Sequence, residues 1–183
     1  MSTYNLSKFT AGLATRGLAS PNKFEVLFTK IPSVALSNGA TLEDLNLMCE
    51  SVSIAGRTVQ SLLDRQYGRN REIAYNGPTY TPINLSFLCS KSFIEKRIFD
   101  QWNNMIVDIS KGYDIAYYKD YIGEMEVSVL DGHGEKTFTT KYREVWPKTV
   151  SAIEFNHSTQ NAPVRMTVEM TYAYWESDDI VSN

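Results

Sequence analysis

Residues 80–109 hold the clearest structural signals in the chain and read YTPINLSFLCSKSFIEKRIFDQWNNMIVDI. In the first third of this stretch, Ile83, Leu85 and Phe87 alternate with mostly polar residues. Alternation with a period of two places these three side chains on one face of a half-buried β-strand. The pattern therefore predicts a strand over residues 80–89.

The rest of the stretch predicts an amphipathic helix over residues 93–109. Ser92 is expected to cap its first turn, with Glu95 completing a capping box. Gly112 is expected to end it. Apolar side chains recur at steps of three and four residues and form one stripe, namely Ile94, Ile98, Trp102, Met105 and Ile109.

Outward from this strand and helix, the chain is predicted to be mostly β-structure. Residues 31–44 are rich in turn-forming residues and predict a surface loop. Residues 131–134, Asp-Gly-His-Gly, predict a hairpin turn. Further strands are predicted at 24–28, 45–54, 58–63, 71–75, 115–118, 124–130, 137–143, 150–155 and 164–175. Many strands around one helix favour an α+β, mainly β fold, an antiparallel sandwich or barrel with one packed α-helix.

The length of 183 residues predicts one domain with mobile ends. Residues 1–20 lack a sustained apolar period and are interpreted as an N-terminal arm. Residues 21–176 form the β domain, and the acidic residues 177–183 form a C-terminal tail.

Charge and cysteine content exclude some classes of function. The chain has 18 Lys and Arg against 21 Asp and Glu, a formal net charge of −3, which disfavours a tight electrostatic grip on nucleic acid. No apolar run is long enough to span a bilayer, so no membrane insertion is expected and assembly in the cytoplasm is predicted. Cys49 and Cys89 lack CxxC spacing and are interpreted as free thiols.

Few residues have the chemistry of a catalytic centre. The two histidines, His133 and His157, lie in predicted turns without a second ligand at metal spacing. We therefore expect no catalytic site, no metal site and no cofactor. An enzyme on a β-barrel scaffold is an alternative that would require a concave site with perturbed acids.

Several segments, in order along residues 21–175, resemble the tail tube proteins of contractile-tailed bacteriophages. Their combined order is more specific than any one of them. They are PNKFEV at 21–26, CESV at 49–52 followed by Gly56-Arg57, the helix at 93–102, WPKTV at 146–150, AIEF at 152–155, and the run from 168 to 176 that ends in Tyr-Trp-Glu.

This resemblance implies a structural virion protein that assembles in the host cytoplasm and works in the tail. Its β-hairpins would join those of neighbours into an inter-subunit β-barrel ring, usually hexameric. Stacked rings would surround the tape measure protein, lie inside the tail sheath protein, and end at baseplate and tail terminator proteins. DNA would contact the tube only in transit, and a mildly acidic wall would repel it.

Six charged residues in predicted strands or their connections are candidates for sites in such a tube. Glu124, Glu126, Asp64 and Glu72 are candidates to face the lumen. Arg57 and Arg65 are candidates for inter-subunit contacts, with exposed positions as the alternative.

Two other roles for the same fold stay open. A baseplate-proximal tube initiator or a terminator would share the domain. The inner-tube protein of a bacterial contractile injection system would form the same ring around protein cargo. The charge of the lumen would distinguish such a tube from a phage tube that conducts DNA.

Overall fold

The structure, a computed structural model, describes residues 6–39, 41–65, 68–158 and 162–178. The helices are α1 (Leu6–Arg16), α2 (Leu42–Leu47), α3 (Ile94–Ile106) and α4 (Tyr118–Tyr121), with 3-10 helices at Ser33–Gly39 and Ile109–Lys111. The strands are β1 (Phe24–Lys30), β2 (Cys49–Val52), β3 (Arg57–Asp64), β4 (Arg71–Tyr80), β5 (Ile83–Leu88), β6 (Val107–Asp108), β7 (Asp114–Ile115), β8 (Gly123–Leu130), β9 (Lys136–Val150), β10 (Arg165–Thr171) and β11 (Tyr174–Ser177).

The main sheet is antiparallel and follows the order β1-β8-β9-β10-β5-β2, with β11 also pairing with β9. The long strand β9 changes partners along its length. Its first part pairs with β8 and β11, and its last part pairs with β10. The predicted class, an antiparallel mainly β fold with a packed helix, is confirmed.

The change of partners in β9 coincides with an irregular backbone. Glu144 has a φ of 57° and lies at a register shift, because Gly123 pairs with Val145 while Glu124 pairs with Arg143. A bulge of this kind bends a strand and increases its twist. The bend lets one strand serve both halves of the sheet and enclose the core between them.

Helix α3 covers this core. Phe99 contacts Phe28 of β1 and Phe87 of β5, with ring centroids 6.3 and 5.2 Å apart, and is stacked on Trp102 at 6.5 Å. Phe99 and Trp102 are fully buried, as are Ile83, Leu85 and Phe87 of the predicted central strand. One amphipathic helix thus closes the space between the two halves, as its apolar stripe predicted.

The predicted N-terminal cap of this helix is wrong. Phe93, not Ser92, is the N-cap residue, with a left-handed backbone (φ 52°) and no side-chain cap. The Glu95 carboxylate instead accepts hydrogen bonds from the backbone N–H and hydroxyl of Ser90, both at 3.0 Å. The helix ends at Ile106, because Val107 turns into β6, and Gly112 terminates the following 3-10 helix.

The segment predicted as a surface loop at 31–44 contains two helical elements. The Thr41 hydroxyl and the Asp44 backbone and carboxylate form a capping box at the start of α2. Ile31 and Ala35 of this segment are buried, as is Leu45 just after it, so the segment packs into the core. The strand predicted at 45–54 is shortened to β2, because its first residues belong to α2.

Other predicted boundaries also change. Residues 115–118 hold only the end of β7 and the start of α4, and residues 151–156 are irregular where a strand was predicted. The strand predicted at 164–175 is broken between β10 and β11. Helix α1 lies inside the segment interpreted as an arm, and its described side chains are mostly exposed. The division into arm, domain and tail stays a prediction, with residues 1–5 and 179–183 outside the described residues.

Candidate assembly surface

Strands β3 and β4 form a two-stranded sheet of their own, a hairpin that does not pair with the main sheet. None of their residues is buried, and only Asp64 and Tyr80, at opposite ends, are half-buried. A two-stranded hairpin in water is marginally stable by itself. The chain therefore carries an element whose surface is left uncovered. Both strands were predicted, although β4 extends to Tyr80 rather than to Tyr75.

Both faces of the hairpin carry apolar side chains. Leu62 is opposite Ile73, and the next pair, Leu63 with Glu72, points to the other face. The exposed apolar side chains are Val59 at 56%, Leu62 at 50%, Leu63 at 41%, Ile73 at 42% and Tyr75 at 71%. An apolar surface on both faces of one ribbon is typical of an element that becomes covered by a partner.

Polar contacts order the two strands. Arg71 donates from Nε and Nη2 to the Asp64 carboxylate, both at 3.1 Å. The Ser61 hydroxyl donates to Glu72 Oε2 at 3.1 Å. Exposed pairs of this kind contribute little to stability, so they fix the register more than they hold the hairpin together.

The root of the hairpin is tied to the body through aromatic rings. The Arg57 guanidinium lies 4.5 Å from the Trp175 ring centroid and 5.7 Å from that of Tyr80. Tyr80 contacts Tyr172 at 5.7 Å, and Tyr172 contacts Tyr142 at 5.1 Å. We call these five residues the root cluster. Because Tyr142 is fully buried in β9, the cluster runs from the exposed hairpin into the core.

Two tyrosine hydroxyls hold the backbone on either side of the root. The Tyr172 hydroxyl donates to the Thr81 carbonyl at 2.8 Å, and the Ala55 backbone N–H donates to the Tyr142 hydroxyl at 3.2 Å. Burial raises the pKa of Tyr172 to about 12, so this phenol stays a hydrogen-bond donor throughout the neutral range.

The candidate lumen residues occupy two separate surfaces. Glu124 and Glu126 lie two residues apart in β8, on the face opposite the buried Met125 and Val127. Glu124 forms an ion pair with Arg143, and Glu126 is opposite Lys141. The charge of Glu124 is therefore paired within the sheet, whereas the Lys141 ammonium opposite Glu126 pairs with Asp178 at 3.4 Å.

The other two candidates lie on the hairpin, on opposite faces. Asp64 pairs with Arg71 and points to one face, whereas Glu72 points to the other. Arg65 directly follows β3 and is exposed. The structure places Glu124 and Glu126 close together on β8, whereas Asp64 and Glu72 lie on the separate hairpin. The lumen and inter-subunit roles of all six charged residues stay predictions.

The residues considered for chemistry are dispersed. His133 and His157 are exposed in separate turns. Within the described ranges, no three His, Cys, Asp or Glu side chains are grouped in a way that could hold a metal ion. Cys49 and Cys89 are free thiols, as predicted, and burial raises the pKa of Cys49 to about 12. No helix in the described part of the chain has the length and apolar character needed to cross a membrane.

Residues 19–178 match the model of the family described as phage tail tube protein. The chain belongs to the phage tail tube protein family. It is therefore a structural tail tube subunit, and the resemblance found in the sequence is confirmed. Tail tube proteins are components of the assembled tail. A comparison with curated proteins gave no match.

Solved structures of contractile machines share the fold of this tail tube protein. The sheath-tube complex of the extracellular contractile injection system PVC, in its extended state, gives a TM-score of 0.63 at 15% identity, covering 92% of this chain and 97% of that chain. The PVC sheath/tube terminator gives 0.62 at 14% identity, covering 88% and 96%. The baseplate of the anti-feeding prophage gives 0.59 at 14% identity, covering 87% and 95%.

The sequence singled out Arg57, but not the apolar residues of the hairpin or the other four residues of the root cluster. One available signal was that apolar residues occur at both odd and even positions of β3, at Val59, Leu62 and Leu63. A strand of this kind cannot leave one face in water without exposing apolar surface. The root cluster is assembled from four segments that are far apart along the chain, so sequence spacing could not reveal it.

Proposed function

We propose that this tail tube protein polymerises through the β3–β4 hairpin into closed rings that stack into the inner tube of a contractile tail. The observation that carries the proposal is a hairpin exposed on both faces with apolar side chains on each. Burying these faces against neighbouring copies removes apolar surface from water and pairs the free strand edges. A closed ring leaves no such edge.

We further propose hexameric rings, with the tail sheath protein outside, the tape measure protein inside, and baseplate and terminator proteins at the ends. The solved structures with this fold include a sheath-tube complex, which supports a sheath partner. DNA passes through the channel in transit only. Glu124 and Glu126 are proposed lumen residues, together with either Asp64 or Glu72, because these two point to opposite faces of the hairpin. Arg65 is a proposed inter-subunit residue. The role is structural and not catalytic.

Three roles are compared for this protein: main tube subunit, terminator or initiator, and inner tube of an injection system. The main tube subunit is favoured because a two-sided hairpin can serve every ring of a stack. A terminator or a baseplate-proximal initiator would use the fold once, and solved structures with this fold include a sheath/tube terminator. An inner tube of a bacterial contractile injection system would share the assembly but carry protein cargo.

The test is electron microscopy and sedimentation of the purified protein over a range of concentrations. We expect hollow tubes or stacked rings above a critical concentration. Persistent monomers at every concentration would refute self-assembly as the property of a main tube subunit.

A pair of matched variants assigns assembly to the hairpin. Leu62→Ser removes an apolar side chain that is 50% exposed on the hairpin, and Leu47→Ser removes one that is 83% exposed on the body. Covering the exposed half of a leucine contributes about 1 kcal/mol, which predicts about a fivefold higher critical concentration for Leu62→Ser. Leu47→Ser should assemble as the wild type does. Equal behaviour of the two variants would remove the hairpin from the interface.

A further inference from the structure

The hairpin meets the body at one narrow root, between Gly56 and Thr81. The Gly56 backbone N–H donates to the Thr81 hydroxyl at 2.9 Å, and the Thr81 N–H donates to the Gly56 carbonyl at 3.4 Å. These bonds join the two strands to each other, not to the main sheet. By themselves they leave the direction of the hairpin relative to the body unfixed.

Contacts between the root and the body come from the root cluster. Trp175 belongs to β11 and is opposite Tyr142 of β9, so its ring moves with the main sheet. Arg57 and Tyr80 form the first pair of the hairpin. The guanidinium therefore spans the junction, with one ring of the body and one ring of the hairpin as its contacts.

We propose that Arg57 is a positioning residue, which clamps the hairpin at the angle needed for it to reach neighbouring copies. This inference rests on the proposed function, since it concerns how the assembly surface is presented. The contact is a cation–π interaction, for which the planar guanidinium suits two rings at once. It replaces the inter-subunit ion pair that the sequence suggested for this residue.

The clamp acts through the population of the binding-competent orientation. The apparent affinity between subunits is proportional to the fraction of molecules that hold the competent conformation. If loss of the clamp leaves about one tenth of the hairpins correctly placed, the critical concentration rises about tenfold. The fold of the body should be unaffected, because Arg57 is exposed and the core lies beyond Tyr142.

The variants are Arg57→Met, which keeps an unbranched side chain without the cation, and Arg57→Lys, which keeps the charge without the planar group. Arg97→Met makes the same change at an exposed position of α3 and is the control. Trp175→Phe retains an aromatic ring facing Arg57. We expect critical concentrations to rise in the order wild type, Arg57→Lys, Arg57→Met, with Arg97→Met and Trp175→Phe close to the wild type.

The salt dependence of assembly distinguishes a clamp within one subunit from an ion pair between subunits. A stacked guanidinium inside one subunit predicts that the ratio of the Arg57→Met and wild-type critical concentrations changes little between low and high salt. An exposed ion pair between subunits is screened by salt, so the ratio would fall towards one and Arg57→Lys would match the wild type. That second pattern would overturn the clamp.

Hydrogen exchange in the unassembled protein tests the clamp independently of the tube. Arg57→Met should speed exchange of the Ala55 amide, which donates to the Tyr142 hydroxyl of the body, and Arg97→Met should not. Unchanged exchange at the root would overturn the clamp even where tubes form. Absence of wild-type tubes together with faster exchange at the root would retain the clamp and refute the proposed self-assembly.

Discussion

Gly123→Ala is expected to destabilise the subunit more strongly than its size suggests. Gly123 begins β8 at the point where β1, β8 and α3 meet. A Cβ atom placed there would lie 2.5 Å from the Lys30 carbonyl oxygen and 3.0 and 3.2 Å from two ring carbons of Trp102. The first contact is with backbone, which cannot rotate away, and the second is with a fully buried side chain.

The magnitude follows from forced repacking. Overpacking a well-packed core costs about 1–3 kcal/mol. With two rigid neighbours, we expect the upper end, about 3 kcal/mol, which for a domain of this size lowers the melting temperature by about 6–12 °C. The assay is thermal unfolding of the unassembled protein, followed by circular dichroism at a concentration below the assembly threshold.

Gly77→Ala is the control for this experiment. Gly77 lies in the exposed strand β4, where an added Cβ atom meets nothing within 4 Å. Its melting temperature should stay close to that of the wild type. A Gly123→Ala protein with the same melting temperature as the Gly77→Ala control would refute the close approach between β8, the end of β1 and α3.

Three further outcomes are expected from single positions. Thr41→Ala removes the capping box with Asp44 and should lower the free energy of unfolding by about 1 kcal/mol in chemical denaturation; an unchanged midpoint would contradict the cap. Trp102→Phe removes the indole hydrogen bond to the Tyr121 carbonyl, 2.7 Å long, and should cost about 1–3 kcal/mol because it leaves that carbonyl unpaired; an equally stable variant would count against it. Burial raises the Cys49 pKa to about 12, so at pH 9 its thiol should react with a disulfide reagent far more slowly in the folded protein than in the denatured chain. The stability gained by keeping this thiol protonated is present below about pH 9 and is lost as the pH rises towards 12. Equal reaction rates in the folded and denatured protein would contradict the burial of Cys49.

The predictable part of the fold is the part with long, regular patterns. The alternation at Ile83, Leu85 and Phe87 and the helical stripe through Ile98 and Trp102 both correspond to fully buried residues. These patterns are extended over several turns or strand repeats, so chance matches are few. The β8–β9 hairpin followed from the turn residues at 131–134 between two apolar runs.

Short helices and caps were less predictable. Helix α2 has 6 residues, too few to establish a period, and its one signal was Thr41 followed three residues later by Asp44. The cap predicted at Ser92 failed because Phe93 adopts a left-handed conformation and Glu95 bonds to Ser90. Local sequence allowed both arrangements, and the tertiary position of the preceding strand decided between them.

The candidate assembly surface was also predictable only in part. The charged residues named from the sequence lie in or beside strands, but Asp64 and Glu72 lie on opposite faces of one hairpin, a consequence of a register that spacing alone did not fix. The root cluster depends on β11 returning beside β9, a long-range pairing without a local signal. Assembly surfaces of this kind are therefore found from exposure and not from motifs.

Stability and assembly are located in different parts of this subunit. The buried residues belong to the main sheet, to α3 and to the segments that pack on them, whereas β3 and β4 contain no buried residue. Exposed side chains contribute little to folding, so changes along the hairpin leave the free energy of unfolding nearly constant. In the proposed tube the same side chains are covered by neighbouring subunits. The hairpin can therefore diverge in sequence under selection for its neighbours, while its direction is held by the root cluster, the one place where the two requirements meet.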